Sequence, residues 1–242
     1  MATKGSPTGK RETISAGHSA PKGIRTAATK KAAKSTARKT TRQGLGVYRR
    51  KRDFTRTAEP KPKRAPSRGP LRFVVQKHRA TALHYDFRLE ARGVMPSWAV
   101  PKGPSLDPRQ KRLAMEVEDH PLEYANFEGI IPEGEYGGGT VMIWDEGVWA
   151  PMEEGVDPAR AIASGEMRFV LAGTKLKGSW ALVRTGERKW LLMKRRDEYA
   201  RNVDIEQAEP RSVRTHRLLA EIARDEGGDV KRAATGDPKR AR

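Results

Sequence analysis

Short alternations of apolar and polar residues, each closed off by Gly or Pro, fill the chain between Leu71 and Ala200. A period of two sends successive side chains to opposite faces. These runs therefore predict strands over 71–77, 83–90, 94–100, 111–118, 140–145, 166–171, 178–184 and 188–195. Many short antiparallel strands at close spacing predict a mainly β fold, a barrel or a sandwich, because closure hides strand edges. One helix interrupts the pattern. Asp157 as N-cap, Pro158 at the first position and Gly165 as the stop predict it. A second amphipathic stretch, Val213 to Arg224, predicts a helix ahead of a Gly-rich, basic end. All five Trp lie between 71 and 200 and alternate with aliphatics, which marks them as core. Trp98, close to Lys102, also has a reading as a surface for nucleic acid.

The pattern is missing from the N-terminus. Residues 1–46 contain no aromatic residue, and Thr26 to Arg42 is built from very few residue types. Such a stretch buries too little apolar surface to offset its ordering entropy, so a disordered basic tail is expected over 1–46. The first aromatic, Tyr48, opens an arm and a Pro/Lys/Arg linker over 47–70. A domain over 71–200 follows, then a C-terminal helix and basic tail over 201–242.

Charge sharpens this division. The net charge is +19, and residues 1–69 carry 20 basic against 3 acidic side chains. Residues 70–200 carry 19 of each, and 201–242 carry 10 basic and 8 acidic. The surplus is thus a statement about partners of the N-terminal segment, either a polyanion tether or a solubilising or localisation tail. No cysteine is present, which excludes a disulfide scaffold, a Cys-ligated zinc finger and a thiol nucleophile. No apolar run is long enough to span a membrane, and no apolar stretch follows Lys4 and Lys10 as in a secretory signal. A soluble protein of a reducing or redox-indifferent compartment is expected.

The run Leu83-His-Tyr-Asp-Phe-Arg-Leu-Glu90 alternates strictly, with His84, Asp86, Arg88 and Glu90 on one face. Same-face neighbours in a strand lie about 6.6 Å apart. His78 ends the preceding strand, and a hairpin would bring it to the same face. Two imidazoles and a carboxylate suit a divalent metal with open positions, and the Arg88 fork suits phosphate oxygens. An ordinary solvated sheet face has the same pattern. In Lys111-Arg-Leu-Ala-Met-Glu-Val-Glu-Asp-His120, parity puts Leu113, Met115 and Val117 on the apolar face. Arg112, Glu116, Glu118 and His120 then share the polar one, and Tyr124 follows closely. A His near an Arg-held phosphate can serve the leaving oxygen, or can simply end a strand on a backbone carbonyl. Gly134-Glu-Tyr-Gly-Gly-Gly139 has no Lys-Ser/Thr behind it, so it reads as a glycine-kinked turn and not as a P-loop. Ser97 and Ser105 lack the glycine flanks of a nucleophile elbow.

Four longer runs carry a family likeness. Phe73 to Glu90, Ser97-Trp-Ala-Val-Pro-Lys-Gly-Pro-Ser105, Glu118-Asp-His-Pro-Leu-Glu-Tyr124 and Phe127 to Gly137 closely resemble the 3′-phosphoesterase module of bacterial DNA ligase D. The likeness covers about residues 45–200. It implies a compact antiparallel β-barrel flanked by short helices. It further implies manganese, or another divalent metal, on His78, His84 and Asp86, with Arg88, His120 and Tyr124 acting at the scissile phosphate. Lys102, Arg112 and Glu118 match positions also needed for activity, and Arg52, Asp53 and Glu59 match an N-terminal element used in removing a terminal nucleoside. The implied activity is healing of DNA 3′ ends: loss of a 3′-terminal ribonucleoside, then of the 3′-phosphate, leaving a hydroxyl for ligation in non-homologous end joining. No Lys-x-Asp-Gly nucleotidylation motif is present, so a stand-alone version is expected, working with a separate ligase or polymerase and a Ku-type end-binding protein. The expected setting is the bacterial cytoplasm at the nucleoid, as a monomer with no membrane contact. The competing classes are a non-catalytic basic DNA-binding or architectural protein and a metal-dependent RNA phosphodiesterase.

Overall fold

Each of the eight alternating runs is a strand in the computed structural model, which describes residues 44–66 and 69–239. They are β1 (Arg72–Arg79), β2 (Leu83–Leu89), β3 (Met95–Val100), β4 (Arg112–His120), β6 (Gly139–Pro151), β7 (Glu166–Gly173), β8 (Lys177–Arg184) and β9 (Lys189–Lys194). A ninth, β5 (Gly129–Ile131), is too short to display a period in the sequence. The hydrogen-bonded order is β1-β2-β3-β4-β9-β8-β7-β6, and β6 returns to pair with β1. This closes an eight-stranded antiparallel barrel, with β5 lying outside it on β6. Closure depends on the length of β6, which pairs with β1 through Thr140–Val148 and with β7 through Gly147–Pro151.

The barrel is filled by Phe73, Val75, Tyr85, Phe87, Leu89, Trp144, Phe169, Trp180 and their neighbours. Trp98 belongs to this interior. It is fully buried edge-to-face against Trp190, with ring centroids 5.6 Å apart, and so offers no surface to nucleic acid. On the opposite face of β1, β2 and β6, two smaller apolar clusters gather under α1 (Gly44–Arg50) and a 3-10 turn (Leu122–Asn126). That outer face carries the polar residues described below.

α2 (Pro158–Ser164) has the expected ends: Asp157 accepts a hydrogen bond from Ala159 N, and Gly165 closes the helix at φ 90°. The stretch from Val213 to Arg224 is helical only in its second half, α4 (Leu219–Asp225). Its first half is held as a loop because Ser212 Oγ accepts from the amides of Arg214 and Thr215. With α3 (Ile205–Ala208) and α5 (Val230–Ala234), this segment contributes Ile205, Leu219, Ile222, Ala223 and Ala233 to the barrel's apolar cluster. The C-terminal stretch, expected to trail as a basic tail after its helix, therefore packs on the barrel through α5. Of the expected disordered tail, residues 1–43 lie outside the described residues, and Gly44 to Gly46 open α1. No helix among the described residues is long and apolar enough to cross a membrane.

Candidate active site with a metal-binding cluster

The β1–β2 hairpin pairs His78 with His84, Gln76 with Asp86 and Val74 with Arg88. Cross-strand partners share a face, so His78 joins the polar stripe of β2. The ligand atoms of His78, His84 and Asp86 all lie within 4.8 Å of one another. His78 Nδ1 is 3.6 Å from Asp86 Oδ2, and His84 Nε2 is 3.7 Å from Asp86 Oδ1. Each ring is held by its other nitrogen: His78 Nε2 lies 2.8 Å from the carbonyl of Gly137 and His84 Nδ1 3.0 Å from that of Ala82. A carbonyl only accepts, so those nitrogens carry protons, and His78 Nδ1 and His84 Nε2 turn toward Asp86. This is the orientation that carbonyl partners impose on ligating histidines.

Burial pushes the His84 imidazole below its ordinary value, with Asp86 pulling the other way and His78 adding to the depression. Burial opposes the charge of Asp86, but Arg88 and the two imidazoles outweigh it and hold the carboxyl well below the usual range. Two imidazoles and a carboxylate fit a divalent metal ion, and the set leaves further positions to water or substrate.

Arg88, only 2% exposed, links this cluster to His120. It donates to Asp86 Oδ2 at 2.9 Å, Gln76 Oε1 at 2.7 Å and Ser97 Oγ at 2.9 Å, and its Nη1 lies 2.8 Å from His120 Nδ1. The N-terminal arm supplies the other side. Arg52 donates to Glu59 Oε1 at 2.7 Å and Glu118 Oε1 at 3.3 Å, and its Nη2 lies 3.2 Å from His120 Nε2. Glu59 in turn accepts from the Tyr124 hydroxyl at 2.9 Å. His120 therefore sits between two guanidiniums, and burial with Arg88 and Arg52 pushes its imidazole well below the ordinary value. Burial, then Glu59, pushes the Tyr124 phenol well above its own, so it remains a donor. Glu118 is held low despite burial by Lys51 and Arg52.

A bulge puts Glu118 and His120 there. Ser97 pairs with Val117 but Met95 with His120, so β4 carries one extra residue. Before the bulge the even positions face inward: Ala114 pairs with Trp190, and Glu116 accepts from the Trp190 indole. The polar face expected from parity is thus split. Leu113, expected in the core, is 43% exposed, because Ala114 takes the inward position. Arg112 pairs with Leu192 on the inward side and faces Glu206, away from the cluster. Lys102 is exposed in the turn after β3, next to Gly103, which lies against the same Glu206. Asp53 is exposed and bonds Thr55 locally. His78, His84, Asp86, Arg88, Glu118, His120, Tyr124, Arg52 and Glu59 are brought together. Lys102, Arg112 and Asp53 are not.

Sequence reasoning passed over Gln76, Ser97, Tyr48 and Lys51. The parity of His78 was a usable signal for Gln76. Ser97 needed the β2–β3 register, which pairs it with Arg88. Tyr48 lies under Arg52, 3.8 Å from guanidinium to ring centroid, through the fold of the arm alone.

Known proteins resemble this chain over the barrel. Residues 76–184 match the DNA ligase D 3′-phosphoesterase domain. Over 185 residues the chain is 51% identical to the multifunctional non-homologous end joining protein LigD of Pseudomonas aeruginosa, covering 72% of this chain and 22% of that protein. The corresponding LigD proteins of Mycobacterium tuberculosis and Mycolicibacterium smegmatis are 47% and 42% identical, over 61% and 64% of this chain and 19% and 21% of theirs. The chain thus spans about a fifth of the length of the curated relatives it matches. The motifs agree with these matches, and the barrel of this chain belongs to the DNA ligase D 3′-phosphoesterase domain family.

Proposed function

We propose that this protein is a manganese-dependent phosphoesterase that heals DNA 3′ ends for non-homologous end joining. It removes a 3′-terminal ribonucleoside by phosphodiester cleavage and then hydrolyses the remaining 3′-phosphate to a hydroxyl. The observation that supports this best is the His78–His84–Asp86 cluster joined by Arg88 to a buried His120. Metal-ligand chemistry and phosphate-binding chemistry share one guanidinium. The family and the names of the relatives, non-homologous end joining proteins, support the setting. DNA 3′ ends are the proposed substrate, with a Ku-type protein and a ligase or polymerase as proposed partners at the nucleoid.

Manganese held by His78, His84 and Asp86 would supply Lewis acidity toward the phosphate oxygens. The side chains around it do the rest. Arg88 and Arg52 offset charge that builds on the phosphate. Between these two cations His120 is neutral when no phosphate is near. An incoming phosphate offsets both guanidiniums and so raises the proton affinity of the ring. His120 is then able to hold a proton for the leaving oxygen, while Tyr124, tied to Glu59, orients the group.

The test is a 5′-labelled primer-template ending in one ribonucleotide, incubated with the full chain in manganese or in chelator. A 3′-phosphate product followed by a 3′-hydroxyl product, in manganese alone, is the expected result. No product in manganese, or equal product in chelator, would overturn the reading.

The basic N-terminus enters through affinity and not through turnover. Deleting residues 1–42 removes 11 Lys and Arg. Every phosphate that these cations no longer neutralise should lower the slope of log affinity against log salt by about 0.9. Binding to duplex DNA should become weaker and less salt-sensitive, while turnover at saturating substrate stays nearly constant. A large fall in saturated turnover would refute the separation.

A further inference from the structure

Tyr136 is a large aromatic side chain left half exposed at the rim of the site. It lies in the connection between β5 and β6, next in sequence to Gly137, whose carbonyl accepts from the His78 ring at 2.8 Å. The loop that carries it is held tightly. A side chain on Gly138 would come within 2.8 Å of the Pro132 carbonyl, and one on Gly139 within 2.2 Å of the Arg79 carbonyl. Glu135 pairs with Arg56 of the arm at 3.0 Å. The Tyr136 hydroxyl accepts from Lys51 Nζ at 2.9 Å, and the same ammonium lies 4.0 Å from the ring centroid. The guanidinium of Arg52, which also contacts His120, is 5.9 Å from that centroid. The ring is therefore held beside Lys51 and Arg52, one residue from the carbonyl that holds His78, with half of it toward solvent.

A rigid, exposed ring beside cations is the arrangement that receives a nucleobase: bases stack on aromatic faces whatever their identity, and neighbouring cations hold the backbone. We propose that Tyr136 is the platform on which the base of the 3′-terminal nucleoside stacks, which sets its phosphate against Arg88 and His120. The inference rests on the proposed function insofar as it takes a nucleic-acid 3′ end as the substrate. It explains why a loop that touches a metal-site histidine also projects an aromatic ring into solvent. It assigns the enzyme a preference for ends bearing a base of any kind over an abasic sugar.

The experiment compares the full chain with Tyr136→Ala, Tyr136→Phe and Tyr136→Trp on two 3′-phosphate primer-templates, one with a normal terminal nucleoside and one ending in an abasic sugar. Tyr136→Ala should raise KM on the base-bearing primer by about 5- to 150-fold. The loss should fall on KM far more than on kcat, and on the abasic primer its KM should match that of the parent. Tyr136→Phe and Tyr136→Trp should retain the base preference, since both keep a face although Phe loses the bond to Lys51. A terminal 2-aminopurine should be quenched on binding to the parent, Phe and Trp proteins, and not to Tyr136→Ala.

Retained base preference in Tyr136→Ala would overturn the proposal. So would an equal loss on both primers, which would mark a structural role, or restoration by neither aromatic. If the parent turns over neither primer, the phosphoesterase reading fails, and the quenching alone decides the platform. Equal quenching by the parent and Tyr136→Ala would then sink it.

Discussion

Asp86→Asn and His84→Ala are each expected to cut manganese-dependent release of phosphate from a 3′-phosphate primer on the order of a thousandfold or more. A Lewis acid contributes several kcal/mol to such a transition state, and each 1.36 kcal/mol is a factor of ten. The two variants approach the same loss from different sides. Asn keeps an oxygen for the Arg88 guanidinium but removes the negative charge that a cation needs. His84 is the most exposed of the three candidate ligands, with 22% of its side chain accessible, and its side-chain hydrogen bond goes to the Ala82 carbonyl. Its removal should cost only about 1 kcal/mol of stability. Manganese affinity measured by titration calorimetry should fall with the activity, while the urea midpoint of His84→Ala moves little. Retained manganese-dependent turnover in either folded variant would remove these residues from the mechanism.

Arg88→Met should damage fold and chemistry together. The guanidinium serves Asp86, Gln76, Ser97 and His120 and lies 4.7 Å from the Tyr124 ring centroid, at almost no exposure. Its loss leaves the buried Asp86 carboxylate with only two imidazoles beside it. Breaking a buried pair from one side costs about 3–5 kcal/mol, and losing one donor to a charged transition state costs about 100- to 1000-fold in rate. Arg88→Lys should recover part of the stability and little of the rate, because a single ammonium cannot reproduce a four-way planar fork.

The pH dependence gives an independent reading in metal-free buffer. Asp86 has a depressed folded value, so its stabilising contribution is present above the ordinary carboxylate range and lost as pH falls toward that depressed value. The stability gap between the parent and Arg88→Met should therefore narrow on acidification below about pH 4. A gap that stayed constant into strong acid would show that Arg88 acts through packing and not through Asp86.

Much of this protein was legible in its order of residues. Alternation marked all eight barrel strands, because a sheet with one face toward a core imposes a period of two wherever it runs. The same alternation placed His84, Asp86 and Arg88 on one face, and Asp157 with Gly165 bounded α2, since caps are local chemistry. The likeness to the DNA ligase D module added expected roles for residues that spacing alone left open.

What the tertiary structure decided was everything that depends on a partner far along the chain. The bulge in β4 depends on its pairing with β3, so parity counted along β4 alone sent Leu113 to the core and kept Arg112 with His120, whereas the extra residue separates them. Trp98 faces inward because its cross-strand partner Phe87 does. The arm brings Arg52 against His120 and Glu59 against Tyr124 across 68 and 65 positions of sequence. Periodicity reports which face a residue takes within its own strand. Register, bulges and the docking of an arm are set by interactions between segments, and no local pattern encodes the energy of an interaction whose partner lies elsewhere in the chain.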